Sequence, residues 1–175
     1  VIGEGYKKKI KKIVNFLKKN KCHFIFITSP ENIAWLLNIR GYDNPTSPIP
    51  NSHLLLDSQK NLYLITDKKK TNKLIKEKKI NSNQIIDTKN FNSFIKSLNG
   101  NKIIIDFKTC SIFYENILNK KFKVLKKEDP IYMLKAIKNK KEIKNMINAH
   151  ILDGVALTKF LYWIKKINKK KNYRI

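Results

Sequence analysis

The chain has 175 residues, 42% of them hydrophobic, and a formal net charge of +25. That length supports one domain with a real core plus an extension, and the apolar fraction excludes wholesale disorder. The charge invites a nucleic-acid reading, yet of 38 basic residues only Arg40 and Arg174 are arginine, and base-reading proteins lean on bidentate arginine. The abundance of Lys, Ile and Asn together reflects coding DNA poor in G and C, and charge of this kind informs on solubility and steering more than on fold.

Residues 6 to 19 read as a first helix: Ile10, Ile13, Val14 and Leu17 recur at three- and four-residue spacing, while lysines fill what should be a solvated face. A β-rich run follows from His23 to Thr28, and then Ser29 with Pro30 gives an N-cap before a proline at the first helical position. The helix from Pro30 ends near Leu37, before Asn38-Ile39-Arg40-Gly41. Pro45, Pro48 and Pro50 then deny the stretch to Asn51 both helix and central strand.

His53 to Asp57 and Leu62 to Thr66 are strands separated by Ser58 to Asn61, the spacing of an antiparallel hairpin. Beyond it the pattern alternates: helix near 69 to 78, strand Gln84 to Asp87, helix near 91 to 98, strand Lys102 to Phe107, helix near 110 to 119, strand Phe122 to Leu125. Such alternation implies an α/β fold, a mixed sheet with helices on both faces. Asp129-Pro130 sets the start of a last helical stretch to about Lys169, with a break near Lys138 to Lys141.

That last helix carries two apolar stripes. One runs Ile143, Met146, Ile147, Ile151, Val155, Thr158 and Leu161 or Tyr162; the other runs Ala149, Leu152, Ala156, Phe160, Trp163 and Ile167. A helix on the surface of a finished domain shows one stripe, so two stripes predict burial between two bodies. The expectation is that the natural chain continues into another domain.

The sequence offers little local chemistry. The glycines at 3, 5, 41, 100 and 154 form no phosphate loop. His23, His53 and His150 are scattered, and the His150 to Asp153 pair falls short of the ligand count a metal site requires, so no metal ligand is expected here. Cys22 and Cys110 each sit beside an apolar run and read as buried free thiols. No run approaches the roughly eighteen apolar residues of a membrane helix, and no apolar leader follows the first lysines, so a soluble cytoplasmic protein is expected.

Two passages resemble a known family. Glu31 through Ile33-Ala34-Trp35-Leu36-Leu37-Asn38-Ile39-Arg40-Gly41, with Asp43 and the proline loop, is the first; Asp129-Pro130 through Lys135-Ala136-Ile137-Lys138-Asn139 to Ala149-His150-Ile151-Leu152-Asp153-Gly154-Val155-Ala156-Leu157 is the second. In order and separation they resemble the three-domain aminopeptidase P branch (Xaa-Pro aminopeptidases) of the creatinase and prolidase family, peptidase family M24. Gly3-Glu4 resembles the segment that opens the same middle domain.

The resemblance implies a creatinase N-terminal-domain-like fold, a mixed six-stranded sheet with helices on both faces and a long C-terminal linker helix. It implies a non-catalytic α/β domain over 1–130 and a helical connection over 131–175 leading into a pita-bread catalytic domain absent here. It further implies hydrolysis of the bond between an N-terminal residue and proline by a hydroxide held between two divalent metals, usually manganese, whose ligands of two Asp, two Glu and a His find no counterpart in this sequence. Catalytic residues and metal ligands are thus expected to be none in this chain.

Partners implied by the resemblance are the chain's own catalytic domain, a proline-containing peptide and a second copy of the full-length enzyme, with no membrane and no specific nucleic acid. Arg40 is the one candidate substrate-binding residue, on a loop that faces the catalytic cleft in relatives and is held by Asn38, Gly41 and Asp43. An ion pair with Asp43 or with the neighbouring domain is the alternative for Arg40. Relatives often follow this loop with aromatic residues, whereas Ser47-Pro48-Ile49-Pro50-Asn51-Ser52-His53 stands here. Rival functions are a lysine-rich nucleic-acid-binding module, which predicts binding that falls steeply with salt, and a stand-alone interaction domain.

Overall fold

In the computed structural model, residues 3–171 are described, and the remainder of the expected connection, 172–175, lies outside them. Contacts divide the chain into two compact units, one over Glu4–Ile137 and one formed by 138–171 with Gly3.

The first unit is an α/β sandwich. Its elements in chain order are α1 (Tyr6–Lys19), β1 (Phe24–Ile27), α2 (Pro30–Leu37), β2 (His53–Asp57), β3 (Leu62–Ile65), α3 (Asn72–Lys76), β4 (Ile85–Ile86), α4 (Phe91–Ser97), β5 (Lys102–Ile105), α5 (Ile112–Asn119), β6 (Lys123–Lys126) and α6 (Ile131–Ala136). The strands form one six-stranded sheet in the order β4-β3-β2-β1-β5-β6. The β2–β3 hairpin and the β1–β2 pair are antiparallel, while β5 runs parallel to both β1 and β6, and β4 is parallel to β3. This is the mixed sheet the alternation of elements predicts.

Alternate side chains along each strand feed opposite layers, as the period of the pleat requires. On one face Ile25, Ile27, Leu54, Leu56, Leu64 and Ile104 meet Ile10, Ile13, Val14 and Leu17 of α1 and Ile33, Leu36 and Leu37 of α2. On the other, Phe24, Phe26, Leu55, Ile103 and Ile105 meet Phe91 and Ile95 of α4 and Leu118 of α5. Because β1 is buried on both faces, its sequence, Phe-Ile-Phe-Ile, is continuously apolar rather than alternating.

Two predicted elements shrink for a common reason. Asp67 accepts a hydrogen bond from the Lys69 amide at 2.9 Å, so the helix near 69 to 78 opens as a 3₁₀ turn before α3. An Asn81–Gln84 capping box and an Asp87 cap flank β4 with further 3₁₀ turns and leave the strand only two residues. Asn and Asp side chains offered the backbone local partners in competition with helix and ladder.

Ser29 stands at the N-cap of α2, yet its hydroxyl makes no cap bond and is buried without a hydrogen-bond partner. Asp129 does act locally: its carboxylate accepts from the Ile131 amide at 2.9 Å and from Asn32 Nδ2 at 2.8 Å, fastening α6 to α2. Burial pushes its carboxyl pKa up, against those two hydrogen bonds. Ile131 is fully buried in the core of the α1 and α2 face, so the packed body extends through α6.

The second unit is α7 (Lys140–Lys171), whose start is set by Asn139. The Asn139 side chain accepts from the Lys141 and Glu142 amides at 3.0 Å, and the Glu142 carboxylate accepts from the Asn139 amide at 2.9 Å. That reciprocal cap explains the break predicted at 138 to 141. Both of its apolar stripes are largely exposed, from Ile147 and Ile151 on one to Leu152 (71%) and Trp163 (57%) on the other, with Ile167 half-buried.

Candidate functional site

The passage after α2 is where the sequence places its one candidate contact. Asn38 ends the helix in the left-handed conformation (φ 57°, ψ 38°), a role that asparagine fills at low steric cost. The Ile39 amide still reaches the Ala34 carbonyl at 3.1 Å, and the Ile39 side chain is buried. Arg40 is thereby presented outward from a fixed base; it is exposed and its guanidinium donates to the Ile39 carbonyl at 2.8 Å.

A buried lysine holds that base. Lys9, expected on the solvated face of α1, is completely inaccessible. Its ammonium donates to the Trp35 carbonyl and to Asn38 Oδ1, each at 2.7 Å, and lies 3.8 Å from the centre of the Trp35 ring. Asn38 Nδ2 in turn donates to the Glu4 carbonyl at 3.0 Å. The last turn of α2 is a natural cation site, since its carbonyls lack helical partners and carry the negative end of the dipole. A buried cation of this kind is expensive to desolvate, and the two hydrogen bonds and the ring offset that cost.

The other two residues expected to hold the loop do so. A Cβ on Gly41 would stand 2.6 Å from Pro50 Cα, so only glycine lets the two ends of the proline loop approach. The Gly41 amide donates to the Pro48 carbonyl at 3.1 Å. Asp43 accepts from the Asn51 amide at 2.7 Å and pairs with Lys70 at 2.6 Å. The Lys70 hydrogen bond foremost, against partial burial and with help from Asn51, holds the Asp43 carboxyl below its ordinary pKa. The Arg40–Asp43 ion pair weighed as an alternative is therefore not formed; Lys70 takes that carboxylate.

Beside this loop lies a cleft of about 420 Å³, floored by Ile39, Leu64 and Leu74 and rimmed by Arg40, Tyr42, Lys70 and Lys73. Elsewhere, His53 sits in an aromatic cluster with Phe26 and Tyr114, ring centres 5.7 and 4.6 Å away. Burial there pushes its pKa below the ordinary value. His150 and Asp153 are both exposed on α7, Cys22 is buried and Cys110 half-buried, both free. Trp35 is half-buried against the core, and Trp163 stacks on Phe160 at 6.1 Å. Among the described residues no three His, Cys, Asp or Glu side chains gather as metal ligands. No described helix is long and apolar enough to cross a membrane.

The profile of the creatinase/prolidase N-terminal domain matches residues 1–142. The chain belongs to that family. The creatinase/prolidase domain seen here is 32% identical over 168 residues to Xaa-Pro aminopeptidase 1 of Dictyostelium discoideum, covering 94% of this chain and 26% of that protein. It is also 32% identical to the Xaa-Pro aminopeptidase ApepP of Drosophila melanogaster, over 87% of this chain and 26% of the relative. Among solved structures, an X-prolyl aminopeptidase from Caenorhabditis elegans, described as a cytosolic enzyme with a di-nuclear active site, superposes with a TM-score of 0.77 at 25% identity, over 94% of this chain and 28% of that one. The chain thus spans about a quarter of the length of these relatives.

Proposed function

We propose that this chain is the non-catalytic domain of a metal-dependent Xaa-Pro aminopeptidase, which removes the N-terminal residue from peptides with proline in second position. The observation that carries this reading is the span of the likeness: it runs through nearly all of this chain, loop and α7 included, and through about a quarter of enzymes named Xaa-Pro aminopeptidase. In this reading residues 1–130, with α6 packed against them, scaffold and partly wall the active site, and the helical connection over 131–175 leads on from α6 into a catalytic domain that covers the apolar stripes of α7. The two divalent ions, manganese as the resemblance implies, are held by that domain, since the described residues supply no ligand set. A cytoplasmic location and a homodimer of the full-length enzyme belong to the same reading.

Arg40 is the substrate-side contact of this domain. A planar fork of N–H donors on a rigid loop suits a carboxylate or peptide carbonyl, and the hold of Lys9, Gly41 and Asp43 on the loop supports that role. In the full-length enzyme, Arg40→Ala is expected to lower kcat/KM for a proline-containing peptide by about tenfold to a hundredfold, the worth of a charged hydrogen bond. The 175-residue chain alone, supplied with manganese, is expected to hydrolyse nothing. Turnover by the isolated chain, or an Arg40→Ala enzyme with unchanged kcat/KM, overturns the corresponding half of the proposal.

A further inference from the structure

We infer that the cleft beside Arg40 docks an acidic segment of a peptide, gripped by Arg40, Lys73 and the ring of Tyr42. The choice of a peptide rests on the peptidase reading above; the charge preference rests on this chain alone.

The cleft has four cationic side chains, Arg40, Lys70, Lys73 and Lys79, and two carboxylates, Asp43 and Glu77. Both carboxylates are engaged already, Asp43 with Lys70 at 2.6 Å and Glu77 with Lys79 at 2.6 Å. Arg40 and Lys73 remain. Neither has a carboxylate within ion-pair distance among the described residues, and Arg40 commits only its bond to the Ile39 carbonyl. The rest of the guanidinium fork matches a carboxylate in two-point geometry.

The floor is apolar, with Ile39 and Leu64 buried beneath and Leu74 half-buried at the side. Tyr42 stands at the rim, 92% exposed. An arginine and a tyrosine on a concave, partly apolar surface are the residues that carry most binding energy in protein contacts. A nucleic acid would need a track of cations to follow several phosphates and gains nothing from this floor; one or two carboxylates beside an apolar side chain use all three features. The loop is fixed before any ligand arrives, by Lys9 on Asn38, by the approach of Gly41 to Pro50 and by Asp43 on the Asn51 amide. The loop backbone therefore has little conformational freedom left to lose on binding.

The test is a calorimetric titration of the chain, at low and at physiological salt, with a short peptide carrying consecutive glutamates around one leucine, its glutamine counterpart, and single-stranded RNA of equal length. The glutamate peptide is expected to bind more tightly than the glutamine one. Arg40→Gln with Lys73→Gln should weaken it by about fivefold to tenfold, and Tyr42→Ala by a smaller factor. Lys89→Gln with Lys96→Gln, which removes the same charge from α4 and the turn before it, on the opposite face of the sheet, should leave it unchanged.

Equal affinity for both peptides overturns the inference. So does equal loss from the two double variants, or an RNA that binds more tightly than the glutamate peptide, since each marks a general polycation. The peptidase reading fails separately, if the full-length enzyme does not cleave before proline while the glutamate peptide still binds here.

Discussion

α1 and α7 are written in the same alphabet and meet opposite fates. Both are lysine-rich helices with apolar residues at three- and four-residue spacing, but Ile10, Ile13, Val14 and Leu17 of α1 are buried against the sheet, whereas Ile147, Ile151, Leu152 and Val155 of α7 are exposed. Periodicity says that a face is made to be covered; it says nothing of what covers it. For α1 the cover is β2 and α2 of the same body, and for α7 the proposed cover is a catalytic domain.

The contrast breaks most sharply under truncation. Leu36→Ala empties a fully buried site between α2 and the sheet, and should cost about 2–5 kcal/mol in chemical denaturation. Lys9→Met keeps the apolar stem but strands the Trp35 carbonyl and Asn38 Oδ1, at an expected cost of about 2–3 kcal/mol in the same measurement. Were Lys9→Met neutral, the cation would have no part in fixing the end of α2. Gly41→Ala forces the proline loop off Pro50 and should cost about 1–2 kcal/mol, with faster proteolysis between residues 42 and 51.

Asp43→Asn probes the loop electrostatically. The folded carboxyl titrates below its ordinary value of 3.8, so its stabilising effect is complete above that value and fades as pH falls through the folded pKa. The difference between wild type and Asp43→Asn should therefore be about 0.2–1 kcal/mol at neutral pH and vanish on acidification. At the bottom of the scale, Leu152→Ser on α7 should shift the stability of this chain by less than about 0.5 kcal/mol. In the full-length enzyme it should be clearly destabilising, and equal small effects in both contexts would remove the case for a covered α7.

What could be read in advance follows from the range of the forces involved. The hairpin, the bounds of α1 and α2, the break before α7 and the mixed sheet rest on local patterning, and the structure reproduces them. Lys9 was illegible because nothing distinguishes it from its lysine neighbours along α1; its partners, Trp35 and Asn38, lie on another helix. The same holds for Asp43, whose real partner Lys70 enters from beyond the hairpin. The one available hint for Lys9 was its place in the helix: it directly precedes Ile10 and lies four residues before Ile13, at the edge of the apolar stripe. The β4 region was over-read because strand-forming isoleucines lay between Asn and Asp residues that satisfied the backbone themselves.

The ends of the sheet carry a consequence of their own. One outer strand, β4, has two residues, and the other, β6, begins and ends in exposed lysines, of which Lys126 pairs with Glu115 at 2.6 Å. A second copy adding itself there would bring its own lysines up against Lys123 across the seam. Fibrous stacking is discouraged at both margins, and a chain that displays an oily helix can still keep its strands to itself.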